Sequence, residues 1–190
     1  VIAFSAIANK DNVGLVLFSD RVEKFIPPAP GKSHVLRLLR ELLTFMPEGE
    51  GTDLNEPLSL LGRVLKRKAT VFLVSDFWAG DFATSLSILV RRHDVVAVRV
   101  RDPRETELPD VGLVSWVDAE TGRDVLVDTA SSESRARLSA RARAHDQALE
   151  HLFAGRGVAV VEIDITRSYV EPLRKFFMAR EGRRGRRGRR

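Results

Sequence analysis

No cysteine occurs in the 190 residues, which removes disulfides and thiolate metal ligands together and fits a reducing compartment, with the cytoplasm as the expectation. No apolar run approaches the roughly 18 residues of a spanning helix, and no signal peptide is visible. The histidines, His34, His93, His145 and His151, show no metal-ligand spacing such as two positions four apart on one helix face. Ordinary surface or helix-end places are expected for them. A Walker lysine loop, a Gly-x-Ser-x-Gly elbow and aspartates paired two apart at a strand end are missing too, which argues against the commonest transferase and hydrolase chemistries.

What is present is enough apolar residue, 44% of the chain, to bury one substantial core, so one domain is expected over residues 1–179. The formal net charge of +5 is misleading. Arg180–Arg190 holds seven arginines and one glutamate, a local +6, which leaves the rest near −1. The basic balance therefore belongs to residues 180–190, whose Gly-Arg-Arg repeats have nothing to bury and read as a disordered tail. Val1 opens inside an apolar pattern, from which a missing upstream portion is expected.

Two periodicities alternate along the chain. Val1 to Ala8 suits the last turns of a helix, and Val13 to Ser19 is a continuous apolar run, as in a strand covered on both faces. Arg21 to Ile26 alternates and reads as its hairpin partner, stopped by Pro27, Pro28 and Pro30. Ser33 is placed to cap a helix carrying Leu36, Leu39, Leu42 and Leu43. A Gly-broken loop, Glu48 to Asp53, leads to a helix from Leu54 to Lys66. Then follow a buried strand from Ala69 to Ser75, a helix near Asp81 to Arg92, and a strand from Asp94 to Val100. Strand and helix in alternation predict a mostly parallel α/β sheet with helices on both faces. Val111 to Val117 and Arg123 to Val127, around Glu120-Thr121-Gly122, read as an inserted β-hairpin. Ser131 or Ser132 caps a long helix ended by Gly155 and Gly157. A last strand, Val158 to Ile163, and a last helix, Tyr169 to Met178, complete the pattern.

Two strings carry candidate chemistry, Gly51-Thr52-Asp53-Leu54 and Thr70 to Phe77. Each sets an oxygen-bearing side chain, Thr52 or Asp76, at the rim where an open α/β sheet gathers its ligands. A hydroxyl with a carboxylate suits a hard divalent cation such as Mg2+, which prefers oxygen and keeps several waters. The competing reading makes both residues helix caps. Asp53 and Glu56 fit the first turn of a helix by dipole logic, and Phe77 fits a core.

The strings DNVGLVLFSDRVEKFIPP (Asp11 to Pro28), GTDL (Gly51 to Leu54), VFLVSDF (Val71 to Phe77), RRHDVVAVRVRDPRETELPDVG (Arg91 to Gly112) and VEIDITRSYVEPLRKFF (Val161 to Phe177) follow one another in order. Together they resemble a von Willebrand factor A-like domain, of the bacterial domain-of-unknown-function family associated with MoxR-type AAA ATPases. The resemblance implies a metal-ion-dependent adhesion site, with Thr52 and Asp76 as its second and third loops. The family's first strand and its Asp-x-Ser-x-Ser loop have no counterpart in this sequence. Weak cation binding, on the order of millimolar, is expected from one carboxylate and one hydroxyl.

A missing central strand also leaves ladder groups unpaired, each at about 1 to 3 kcal/mol, against a net stability of about 5 to 15 kcal/mol. Instability, or closure of the gap by rearrangement, is the expectation. The resemblance further implies a non-enzymatic protein-binding module, partner or adaptor of a MoxR-type ATPase. The alternatives are a metal-dependent phosphoryl-transfer or nuclease enzyme using Asp76 with Asp81 or Asp53, and weak nucleic-acid binding through the arginine tail.

Overall fold

A computed structural model describes residues 2–105, 110–117 and 124–187. The chain divides into two compact units, one of Val1–Lys66 with Ala79–Leu89, the other of Arg67–Trp78 with Val90–Arg190. A single domain over residues 1–179 was the expectation.

In the first unit, helix α1 (Ile2–Ala8) precedes strands β1 (Val13–Phe18) and β2 (Val22–Ala29), which pair antiparallel with Val16 opposite Phe25. The prolines do not stop β2. The strand runs through Pro27 and Pro28, because an outer strand can spare the amide that proline lacks. The register shifts between Val13 and Leu15, where Gly14 lies so close to the partner that a Cβ would stand 2.9 Å from the Ile26 carbonyl oxygen. Helix α2 (Lys32–Thr44) buries Val35 and Leu38 and is tied to β1 by His34, whose Nε2 lies 2.8 Å from the Val13 carbonyl oxygen. Gly31, not Ser33, stands at its N-cap, with no side-chain bond. Helix α3 (Asn55–Val64) buries Pro57 and Leu58. Asn55 joins it to α4 (Ala83–Val90), donating to the Asp81 carbonyl at 2.9 Å and accepting from the Ser85 hydroxyl at 2.7 Å.

The second unit is built on a parallel sheet in the order β3 (Thr70–Ser75), β4 (Asp94–Arg101), β7 (Ala159–Asp164). The central β4 is buried from Val95 to Arg99, which its near-continuous apolar run dictates. Strands β5 (Leu113–Val117) and β6 (Asp124–Asp128) form the expected hairpin, and its Glu120-Thr121-Gly122 turn lies outside the described residues. Helix α5 (Ser132–Ala154) starts at Ser131, whose hydroxyl accepts the Ser134 amide, and buries Ala142, Leu149 and Phe153. Helix α6 (Val170–Arg187) brings Phe176 and Phe177 against Phe72 of β3, with ring centroids 6.3 and 5.9 Å away. Arg180 of α6 pairs with Asp94. The helix continues through the first Gly-Arg-Arg repeats, where a disordered tail is expected from residue 180. Arginine ranks among the good helix formers, against about 1 kcal/mol per glycine.

The one mostly parallel sheet expected from the sequence is therefore divided. Its ladders form three sheets, β1 with β2, β3 with β4 and β7, and β5 with β6. Among the described residues, β1 and β3 each carry a ladder on one side only. Strand β3 has no proline, charge or bulge, and pairs with β4 in register over its whole length. It is composed as an interior strand and has an edge strand's free hydrogen-bonding groups, a combination that invites association. None of the described helices is long and apolar enough to cross a membrane.

Val74 on β3 is 51% exposed. Val74→Lys is expected to reduce concentration-dependent association, measured by light scattering, while changing unfolding free energy by no more than about 0.5 kcal/mol. Unchanged association would show that this edge is not the adhesive one.

Candidate functional site

In the first unit, the loop carrying Thr52 is held by one carboxylate. Glu23 of β2 has a side chain only 6% exposed. It accepts the Ser19 hydroxyl at 2.7 Å, the Gly49 amide at 2.7 Å and the Glu48 amide at 3.2 Å. A Cβ at Gly49 would lie 2.0 Å from Asp20 Oδ1 and 2.2 Å from the Ser19 hydroxyl, so any side chain there would have to displace both. The Asp53 amide then donates to the Ser19 carbonyl at 2.9 Å, and the Val22 amide to Glu56 at 2.8 Å. Thr52 is thus half-buried in a loop clamped on both sides to the β1–β2 turn. The side-chain bond that opens α3 comes from Asp53, whose Oδ1 accepts the Asn55 amide at 2.8 Å. The Ser19 hydroxyl, then the Gly49 amide, hold the Glu23 carboxyl below its ordinary pKa.

In the second unit, Asp76 follows the last residue of β3 and is exposed. Its Oδ1 accepts the Trp78 amide at 3.1 Å and the Ser75 hydroxyl at 3.4 Å. Between them Phe77 takes a positive φ of 65° and is completely buried, edge-to-face against Phe153 of α5 at 5.2 Å. A non-glycine residue in that conformation persists where its surroundings fix it. Burying Phe77 turns the chain so that Asp76 and Trp78 flank it at the carboxyl end of the strand. Trp78 in turn stacks on His145 of α5, with centroids 3.9 Å apart and planes 8° from parallel, and the Arg141 guanidinium lies 5.9 Å from its ring centre.

Beside this loop, a charged network ties α5 to the strand ends. The Arg99 side chain of β4, 5% exposed, pairs with Asp146, which also receives Arg101 at 2.7 Å. Both arginines stand 3.9 Å from Glu162 of β7. Burial lowers the pKa of His145, and Arg99 adds to the effect against the opposing pull of Asp146 and Asp76. Burial raises that of Glu162 against the two arginines. The Thr166 hydroxyl and amide lower that of Asp164.

The structure places Thr52 in the first unit and Asp76 in the second. Among the described residues no group of three or more histidines and carboxylates could hold a metal. Asp76 stands as a single exposed carboxylate at the end of β3. Of the histidines, expected at the surface or at helix ends, His151 is exposed in the last turn of α5, and two others are not ordinary surface residues. His93 is 4% exposed, and His145 is packed on Trp78. The Arg99 network was missed as well. Its signal was present, since an arginine inside the apolar run of β4 cannot be buried without a counter-charge.

The architecture is mixed α/β, with a parallel three-strand sheet and helices. A crystal structure of the conserved hypothetical protein BatB from Bacteroides thetaiotaomicron matches it with a TM-score of 0.53 over 90% of this chain and 80% of that one, at 13% identity. The chain belongs to the family described as "Protein of unknown function DUF58", whose model matches residues 1–148. Uncharacterized proteins of Mycobacterium tuberculosis and Mycobacterium bovis are 29% identical over 189 residues. That alignment takes in 97% of this chain and 58% of theirs, so the chain spans little more than half the length of these relatives. An uncharacterized Mycobacterium avium protein is 30% identical over 165 residues, 84% of this chain and 95% of that protein.

Two outcomes test the local geometry. Because the Glu23 pKa is lowered on folding, its contribution is complete above the ordinary carboxylate value of about 4.3 and fades as pH falls through the folded value. Glu23→Gln should be less stable than wild type at neutral pH, by urea unfolding, with the gap narrowing in acid. A gap independent of pH would remove the carboxylate's charge from the account. Asp146→Ala leaves the Arg99 charge buried without its closest partner and is expected to cost about 3 to 5 kcal/mol. A loss under about 1 kcal/mol, the scale of an exposed pair, would show that the guanidinium finds water instead.

Proposed function

We propose that the chain is a non-enzymatic protein-binding module that presents a divalent cation, Mg2+ or a similar hard ion, to a partner macromolecule. In this reading Asp76 supplies a carboxylate oxygen and water most of the remaining positions, and Thr52 is the second candidate that the family resemblance implies. The observation that carries the reading is the Asp76 loop. Its exposed carboxylate sits at the carboxyl end of a parallel strand, and both of its described hydrogen bonds land on Oδ1. Phe77, buried and held at positive φ, fixes the loop beneath it. A rigid, single carboxylate at that rim is suited to share an ion.

The resemblance to the family associated with MoxR-type AAA ATPases supplies the candidate partner. A metal-dependent phosphoryl-transfer or nuclease enzyme would enlist Asp53 or Asp81 beside Asp76. Each of these already caps a helix start, Asp53 through the Asn55 amide and Asp81 through the Ala83 amide at 2.9 Å. That favours structural roles for both.

Thr52→Ala combined with Asp76→Ala is expected to lower Mg2+-dependent capture of a purified MoxR-type ATPase by about tenfold or more, read by biolayer interferometry with and without chelator. Capture indifferent to both the substitutions and the chelator, or turnover of a phosphate ester abolished by the same pair, would overturn the reading.

A further inference from the structure

The binding-module reading leaves the chemistry of the partner open, and α5 narrows it. Four arginines lie in its first half, and one, Arg135, is engaged, bonding the Thr129 and Ala130 carbonyls and standing 3.5 Å from Asp110. Arg137, Arg141 and Arg143 are exposed and have no ion pair among the described residues. At about 100° per residue, Arg137 and Arg141 fall about 40° apart on one stripe, while Arg143 is turned about 160° from Arg141. The stripe continues through the exposed small residues Ala144 and Ala148 and is bordered by Trp78, which stacks on His145 and lies beneath the Arg141 guanidinium.

The geometry points to a docking face for an acidic protein segment along Arg137 and Arg141, reaching the rim at Trp78. Two exposed arginines without an ion pair among the described residues, beside small neighbours, let carboxylates approach and order along the helix, the complementarity that sets register and association rate. A nucleic acid fits this face poorly. Phosphate-driven binding draws on many cationic contacts, and this stripe has two. The described faces of the Trp78 ring are taken by His145 and Arg141, so it offers no platform for a base.

This inference rests on the binding-module reading but not on the cation. The test is fluorescence anisotropy of a labelled Glu-Ala-rich peptide against the full chain at low salt, with chelator present. Saturable binding that weakens with added salt is expected. Arg137→Glu with Arg141→Glu should reduce it by about tenfold, whereas Arg143→Glu, the same charge change on the other flank, should change it less than about twofold. Deleting residues 183–190 should leave it unchanged. Equal loss from Arg143→Glu, no binding by wild type, tighter binding of a single-stranded oligonucleotide through the same two arginines, or binding lost on tail deletion would each overturn the proposal. Loss of cation-dependent capture with peptide binding intact would sink only the metal reading.

Discussion

A guanidinium in the middle of a sheet is the constraint from which the second unit's rim follows. Arg99 occupies the central strand, with a neighbour on each side, and its side chain is 5% exposed. A charge so placed is tolerable only when an opposite charge meets it in good geometry. Asp146 meets it, and Arg101 shares the same carboxylate. Fixing Asp146 fixes the turn of α5 on which it sits, and the residue before it, His145, is thereby laid flat on Trp78. The exposed loop at the end of β3 is thus held from two directions, by the Phe77 ring against Phe153 and by the Trp78 ring against His145. Neither contact is itself a binding chemistry. Both make Asp76 a fixed point rather than a mobile side chain on a loop.

The first unit solves a similar problem with a different charge. Its loop, Glu48 to Asp53, has no ladder to satisfy its backbone, so the orphaned amides need acceptors. One carboxylate, Glu23, takes two of them and a hydroxyl as well, and bonds to an ionised acceptor are the stronger kind. The cost falls on sequence freedom, since a side chain at position 49 would have to displace the Asp20 carboxylate and the Ser19 hydroxyl. In both units a charged group that touches no ligand sets the posture of the loop carrying a candidate ligand residue.

Periodicity made the elements legible but not their assembly. The hairpin, the three parallel strands and α3 to α5 all lie within a few residues of their expected places, because burial imposes a period of 2 or 3.6 on residue choice. The Pro27-Pro28 stretch misled, since proline breaks a central strand but not an outer one. Ser33 misled because capping needs the residue just before the helix, and α2 starts two residues too early. The division into separate ladders leaves no trace in any local pattern. Thr52 and Asp76 stood out because they sit at element ends. Arg99, Asp146 and His145 did not, since pairing across 47 residues leaves no trace in spacing.

The proposed binding role draws support from where the shifted groups of the described residues lie. Catalytic sites collect titratable groups whose environments push their pKa values apart, so that one gives a proton and another takes it. Here the shifted groups are consumed by structure. Glu23 clamps a loop, Asp164 closes a turn onto Thr166, and His145 is stacked and partly buried, with protonation opposed by both burial and Arg99. Asp76, the exposed carboxylate of its loop, belongs to no group of three or more histidines and carboxylates that could hold a metal among the described residues. Groups locked in this way cannot easily exchange protons with a substrate, but they can hold one exposed carboxylate and one arginine stripe at fixed positions. Preorganised polar groups of that kind lower the cost of association, which is what a surface meant to be met by another macromolecule requires.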